Sequence, residues 1–163
     1  MKLRHLSPLL ALFYFTACHH GPSADREIGH WQVMTLSAKG GMLCYAGSNP
    51  VQQSGAAPRD TTPYLMVTRR LSGKSEVSAS AGYRFMKSGK VQLMVGDQPY
   101  RLYFASDIAW AKDSAEDATI VQGLFAAKSV QLMAVSANHQ ASTDTYSTDG
   151  FAEAVARMKA LCP

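Results

Sequence analysis

The C-terminal stretch Thr143-Asp-Thr-Tyr-Ser-Thr-Asp-Gly-Phe-Ala-Glu-Ala-Val-Ala-Arg-Met-Lys-Ala-Leu-Cys162 reads as a last strand running into a helix that closes on a cysteine. Phe151, Val155, Met158 and Cys162 fall at i, i+4, i+7 and i+11 and share one helix face, while Glu153, Arg157 and Lys159 lie off it. Ser147 and Asp149 are candidate helix starters, because a short side-chain oxygen accepts an orphaned first-turn amide and a carboxylate suits the positive end of the helix dipole. The spacing predicts an amphipathic helix docked by the face that carries Cys162.

Upstream, short strands alternate with glycine and polar turns. Trp31, Val33 and Thr35 alternate with Gln32 and Met34, Lys39-Gly40-Gly41 breaks the run, and Met42 to Ala46 resumes it as a hairpin carrying Cys44. Asn49 to Thr62, with two prolines, reads as an irregular loop. Pro63 to Leu71 is rich in aromatic, aliphatic and β-branched residues and is the strongest strand. Glu76–Ser80 follows, and then three hairpin-connected segments, Tyr83–Lys87, Val91–Val95 and Tyr100–Phe104, predict a meander. Ser114 and Asp117 are cap-type residues, and Ile120, Val121, Leu124 and Phe125 recur at helical spacing, so one short internal helix is expected there. Val130–Ser136 and Ser142–Tyr146 read as the last two strands. The expected fold is mainly β: an antiparallel β-sandwich or flattened barrel of about eight strands, with the internal helix and the C-terminal amphipathic helix packed on it.

The other end of the chain speaks of export. Lys2, Arg4 and His5 form a basic start, Leu6 to Phe15 an apolar run too short to span a bilayer, and Thr16-Ala17 are small residues before Cys18. Residues 1–17 are therefore expected to be a signal peptide of lipoprotein type. Phe15-Thr16-Ala17-Cys18 resembles the lipobox of bacterial lipoproteins, with Phe15 where Leu is usual, and that resemblance implies lipidation at Cys18. His19 follows, where an inner-membrane retention signal would place Asp, so the resemblance implies a membrane partnership through the lipid anchor at the outer membrane or cell surface. The competing reading is an ordinary cysteine beside a plain cleavage site. Residues 18–28 are small, polar and proline-bearing, as expected of a tether, and 29–163 form a single β-rich domain.

Export also bears on the cysteines and the charge. Of three cysteines, Cys44 and Cys162 remain once Cys18 is assigned to lipid, and an oxidising compartment favours a disulfide between them. A catalytic thiol is the alternative, but no motif flanks either residue. Removing Lys2 and Arg4 with the leader takes the 16 basic residues to 14 against 12 acidic ones, too balanced for a nucleic-acid footprint; the basic residues are scattered except for Arg69-Arg70.

Residue types with catalytic potential form no recognisable constellation. His19 and His20 lack the spacing and further ligands of a metal site, and His30 and His139 belong to no nucleophile, phosphate-loop or zinc motif. Asp113, Glu116 and Asp117 suit the start of a helix, and Trp31 and Trp110 suit a β core. No catalytic residue, metal or cofactor is indicated.

The order Trp31, Cys44, Tyr64-Leu-Met-Val67, Gly82-Tyr83-Arg-Phe85, Trp110, Ile120-Val121, Asp144-Thr-Tyr-Ser147, Gly150-Phe151-x-x-Ala154 and Cys162 resembles the invasion-associated locus B family of exported bacterial proteins. The resemblance covers nearly all of the mature domain, and its C-terminal block is the most specific part. It implies a small β-rich periplasmic or surface domain, connected with host-cell invasion and without an established enzymatic activity. Two functions are expected to compete: a non-enzymatic binding or adaptor module for an envelope or host protein, and a periplasmic inhibitor of a hydrolase such as lysozyme.

Overall fold

The computed structural model describes residues 23–70 and 72–163. The strands are β1 (Ser23–Ile28), β2 (Trp31–Ala38), β3 (Gly41–Ser48), β4 (Gln52–Gly55), β5 (Tyr64–Arg69), β6 (Ser75–Ser80), β7 (Val91–Val95), β8 (Gln98–Ala105), β9 (Ile108–Trp110), β10 (Ser129–Val135) and β11 (Ala141–Ser147). Helix α1 spans Ser114–Ala126 and α2 spans Phe151–Leu161. The strands form one hydrogen-bonded order, β1-β2-β3-β5-β6-β9-β8-β7-β10-β11-β4, entirely antiparallel in its pairings. The mainly β architecture with two helices agrees with the expectation. The strand number does not: among the described residues there are eleven rather than about eight, and their order ends at β1 and β4 without closing into a barrel.

Three extra or displaced strands account for the difference. The last six residues expected to be tether form β1, because the outer side of β2 offers a ladder and Ile28 enters the core beside Trp31 and Phe151. Within the expected irregular loop, Val51 donates its amide to the Thr145 carbonyl at 2.8 Å and Gln52–Gly55 then pair with β11. The meander exists one strand later than expected, as β7-β8-β9. Tyr83–Lys87 is not a strand; Phe85 makes only an isolated bridge to Ser136. The Phe85 amide bonds Ser106 and the Met86 amide bonds Val135, so the segment spans the ends of two strands instead of running beside one.

β8 joins the two halves of the sheet. Its first part, Gln98–Leu102, pairs with β7, and its last part, Tyr103–Ala105, pairs with β9. Alternate residues from both halves enter one buried cluster, including Trp31, Leu65, Val77, Leu93, Leu132, Tyr146 and Phe151. α2 docks by the anticipated face, with Phe151, Val155 and Met158 buried, and Cys162 is disulfide-bonded to Cys44 with their Cα atoms 6.1 Å apart. The Arg69 Nε donates to the Cys162 carbonyl at 2.5 Å, which further holds the chain end to β5.

The helix starts differ from expectation in their capping. Neither Ser147 nor Asp149 caps α2; the Ser147 hydroxyl accepts the Asp149 amide in the preceding turn, and Gly150, at φ 86°, occupies the cap position. A Cβ at Gly150 would overlap the Ile28 carbonyl, and one at Gly29 would lie 2.7 Å from the Asp149 carbonyl. The β1–β2 turn and the α2 start thus approach too closely for side chains at either position. In α1 the cap is Asp113, which accepts from Ala115 and Glu116; Asp117 is buried and accepts the Val77 amide at 2.8 Å.

Candidate functional site

Three segments that are separate in sequence meet at the switch in β8. Arg84, Phe85 and Lys87 come from the bridging segment, Arg101 to Phe104 from β8, and Lys112 and Glu116 from the start of α1; with Ser106 they line a groove of about 1010 Å³. Alternation along β8 buries Leu102 and leaves Arg101 and Tyr103 outward, Tyr103 being 64 % exposed. Phe85 packs edge-on against Phe104 at 5.4 Å and against Tyr83 at 5.8 Å, giving the groove a rigid aromatic floor.

The electrostatics of this groove are one-sided. Arg84, Lys87, Arg101 and Lys112 stand against a single acid, Glu116. Glu116 accepts the Lys112 amide at 2.6 Å, and the Lys112 ammonium lies 3.9 Å from Asp113 in an exposed contact. Among the described residues, Arg84, Lys87 and Arg101 make no ion pair. The Asp113 carboxyl is held below its usual range by the Glu116 and Ala115 amides, with the Lys112 charge adding to the effect. Unpaired cations around an exposed tyrosine suit a ligand that carries negative charge and a flat or extended body.

Behind the groove lies a polar cluster. Arg59 makes two bonds to Asp144, at 2.9 and 2.6 Å, donates to the Ala81 carbonyl at 2.5 Å, and sits 5.7 Å from the centroid of the Tyr83 ring. The Tyr83 hydroxyl meets the Ser142 hydroxyl at 2.6 Å. Burial pushes the Asp144 carboxyl up, against the pull of Arg59, and burial likewise raises the Tyr83 and Tyr146 hydroxyls. We read this cluster as structural: it fastens the 49–62 segment to β11. A recess of about 200 Å³ lined by Asp60, Tyr83 and Asp107 adjoins the groove through their shared residues Arg84 and Ser106.

Of the residues singled out in the sequence, Arg84, Phe85 and Glu116 line the groove, and the others lie elsewhere. Cys18, His19 and His20 fall outside the described residues. Cys44 and Cys162 form the disulfide. Trp31 is fully buried, donates to the Ser147 carbonyl at 3.0 Å and packs on Phe151, whereas Trp110 is half-buried in β9 opposite Tyr103. His30 lies in the β1–β2 turn and His139 in the β10–β11 turn. Among the described residues no group of three or more His, Cys, Asp or Glu is placed to hold a metal ion, and no helix is long and apolar enough to cross a membrane. The groove as one site was missed because its residues are dispersed along the chain. The available signal was the period-two placement of Arg101 and Tyr103 on the outward face of one strand.

The fold and groove define a disulfide-bonded, open β domain with two packed helices. Its fold is shared with the crystal structure of invasion associated protein B from Bartonella henselae, at 18 % identity and a TM-score of 0.62, covering 83 % of this chain and 95 % of that one. No family model matches the sequence, and no curated protein matches it.

Proposed function

We propose that the protein is a non-enzymatic, exported envelope protein of the invasion-associated locus B type, a binding or adaptor module whose working surface is the groove around β8. The observation that carries this reading is the gathering of Arg84, Lys87, Arg101 and Lys112 around the exposed Tyr103. Arginine and tyrosine are enriched among the residues that dominate interface energetics, and Arg84, Lys87 and Arg101, which make no ion pair among the described residues, suit the steering of acidic partners. The fold shared with a protein named for invasion and the lipoprotein-like leader support an envelope setting. In that setting the chain is anchored at the outer membrane or cell surface through Cys18, and an envelope or host protein occupies the groove.

The test is cross-linked capture from intact envelopes with the tagged full chain and with an Arg84→Glu/Arg101→Glu variant. The wild type is expected to capture partners that the variant loses, with the melting temperature unchanged because both side chains are exposed. Equal capture by both proteins contradicts the reading. Groove-dependent recovery of a hydrolase would favour the inhibitor alternative.

A further inference from the structure

The groove contains an unfinished strand edge. Val95 and Gln98 pair across the two-residue turn Gly96-Asp97, and Tyr100 and Leu102 follow in register with Leu93 and Val91. In an antiparallel hairpin of this register the backbone groups of Gln98, Tyr100 and Leu102 point to β7, and those of Arg101 point away from it. β9 is too short to meet them: its pairing with β8 runs from Ala105 only as far as Tyr103, opposite Trp110. The Arg101 amide and carbonyl therefore have no ladder partner among the described residues, and they lie where Arg101, Lys112, Arg84 and Lys87 supply positive charge. Pro99, two residues earlier, lacks an amide and limits the open stretch, as edge strands commonly do.

We propose that this edge takes an extended acidic segment of a protein partner, which adds beside β8 by bonding the Arg101 backbone and sets its carboxylates against the four cations. The inference rests on the reading of the groove as the binding surface and specifies its occupant. A peptide uses both features of the site. A simple anion would engage the cations and leave the strand edge unmatched. In an added strand, alternate side chains share a face, so a sequence alternating acidic and apolar residues lines its carboxylates up beside Arg101 while its apolar residues turn to the opposite side, toward Leu102 and Phe104. The charge contribution weakens with added salt.

The probe is a short fluorescein-labelled peptide alternating Glu and Val, titrated into the full chain by fluorescence anisotropy. Its matched control carries N-methyl groups on alternate backbone amides. We expect the unmodified peptide to bind, and the N-methylated peptide and the Arg84→Glu/Arg101→Glu protein each to weaken binding by about tenfold or more. Equal binding of the N-methylated peptide overturns strand addition while leaving the groove as the binding surface. Failure of the peptide to bind, alongside binding of phosphatidylglycerol vesicles or inorganic phosphate, overturns the protein partner in favour of another anion. Failure of the peptide together with cross-linked capture that ignores the groove variant removes the proposed function as well.

Discussion

Arg59 and Asp144, 85 positions apart, meet fork to fork, so a segment with little regular structure is fixed to the buried face of β11. Asp144 is fully buried and the Arg59 side chain is 17 % exposed. Asp144→Ala should destabilise the protein by about 3 to 5 kcal/mol, because it leaves a largely buried guanidinium without its counter-charge. An Arg59→Met/Asp144→Ala double variant should lose less than the Arg59→Met and Asp144→Ala losses combined. Urea denaturation of the four proteins measures this, and strictly additive losses would show that the pair is not coupled.

The Cys44–Cys162 bond encloses a sequence separation of 118 residues. Constraint of the unfolded chain then contributes about 4 to 5 kcal/mol as an upper estimate. Cys44→Ala and Cys162→Ala should cost nearly the same, and the double variant little more. Reductant should lower the melting temperature of the wild type and leave that of the double variant unchanged.

Asp117 provides a pH test. Burial raises its carboxyl above the ordinary value of 3.8, partly offset by the Val77 amide. The folded protein therefore holds this proton more tightly than the unfolded chain does. Its contribution to stability is greatest below 3.8 and is lost as pH rises through the raised folded value. Asp117→Asn should remove that dependence while keeping an acceptor for Val77. The stability difference, wild type minus variant, should fall as pH is raised from about 3 toward neutrality; an increase over that range would refute the assigned direction.

Gly150→Ala should destabilise by about 1 to 3 kcal/mol, from the positive φ and from the overlap with the Ile28 carbonyl. Thermal denaturation checks the loss. A neutral substitution would mean that the β1–β2 turn can move away from α2.

Much of this architecture was legible in the sequence. The docking face of α2 followed from Phe151, Val155 and Met158, and the disulfide followed from the cysteine pair left over once Cys18 is set aside, in a chain expected to be exported. β1 and β4 were not legible, because Ser23–Ile28 and Gln52–Gly55 are strands only by virtue of the ladders that β2 and β11 offer them. Tyr83–Lys87 has strand-like alternation and buries Tyr83 and Phe85, yet its amides serve two different strand ends. The groove was hidden for a related reason. Arg84, Arg101 and Lys112 look scattered until the turn at Ser106 and the start of α1 bring them together.

Hydrogen–deuterium exchange on the full chain, with and without purified envelope, tests most directly whether the β8 groove is the working surface. Protection is predicted at Arg84–Lys87 and at Arg101–Phe104, and it should vanish in the Arg84→Glu/Arg101→Glu variant. Protection confined to other surfaces, or unchanged in that variant, would contradict the account.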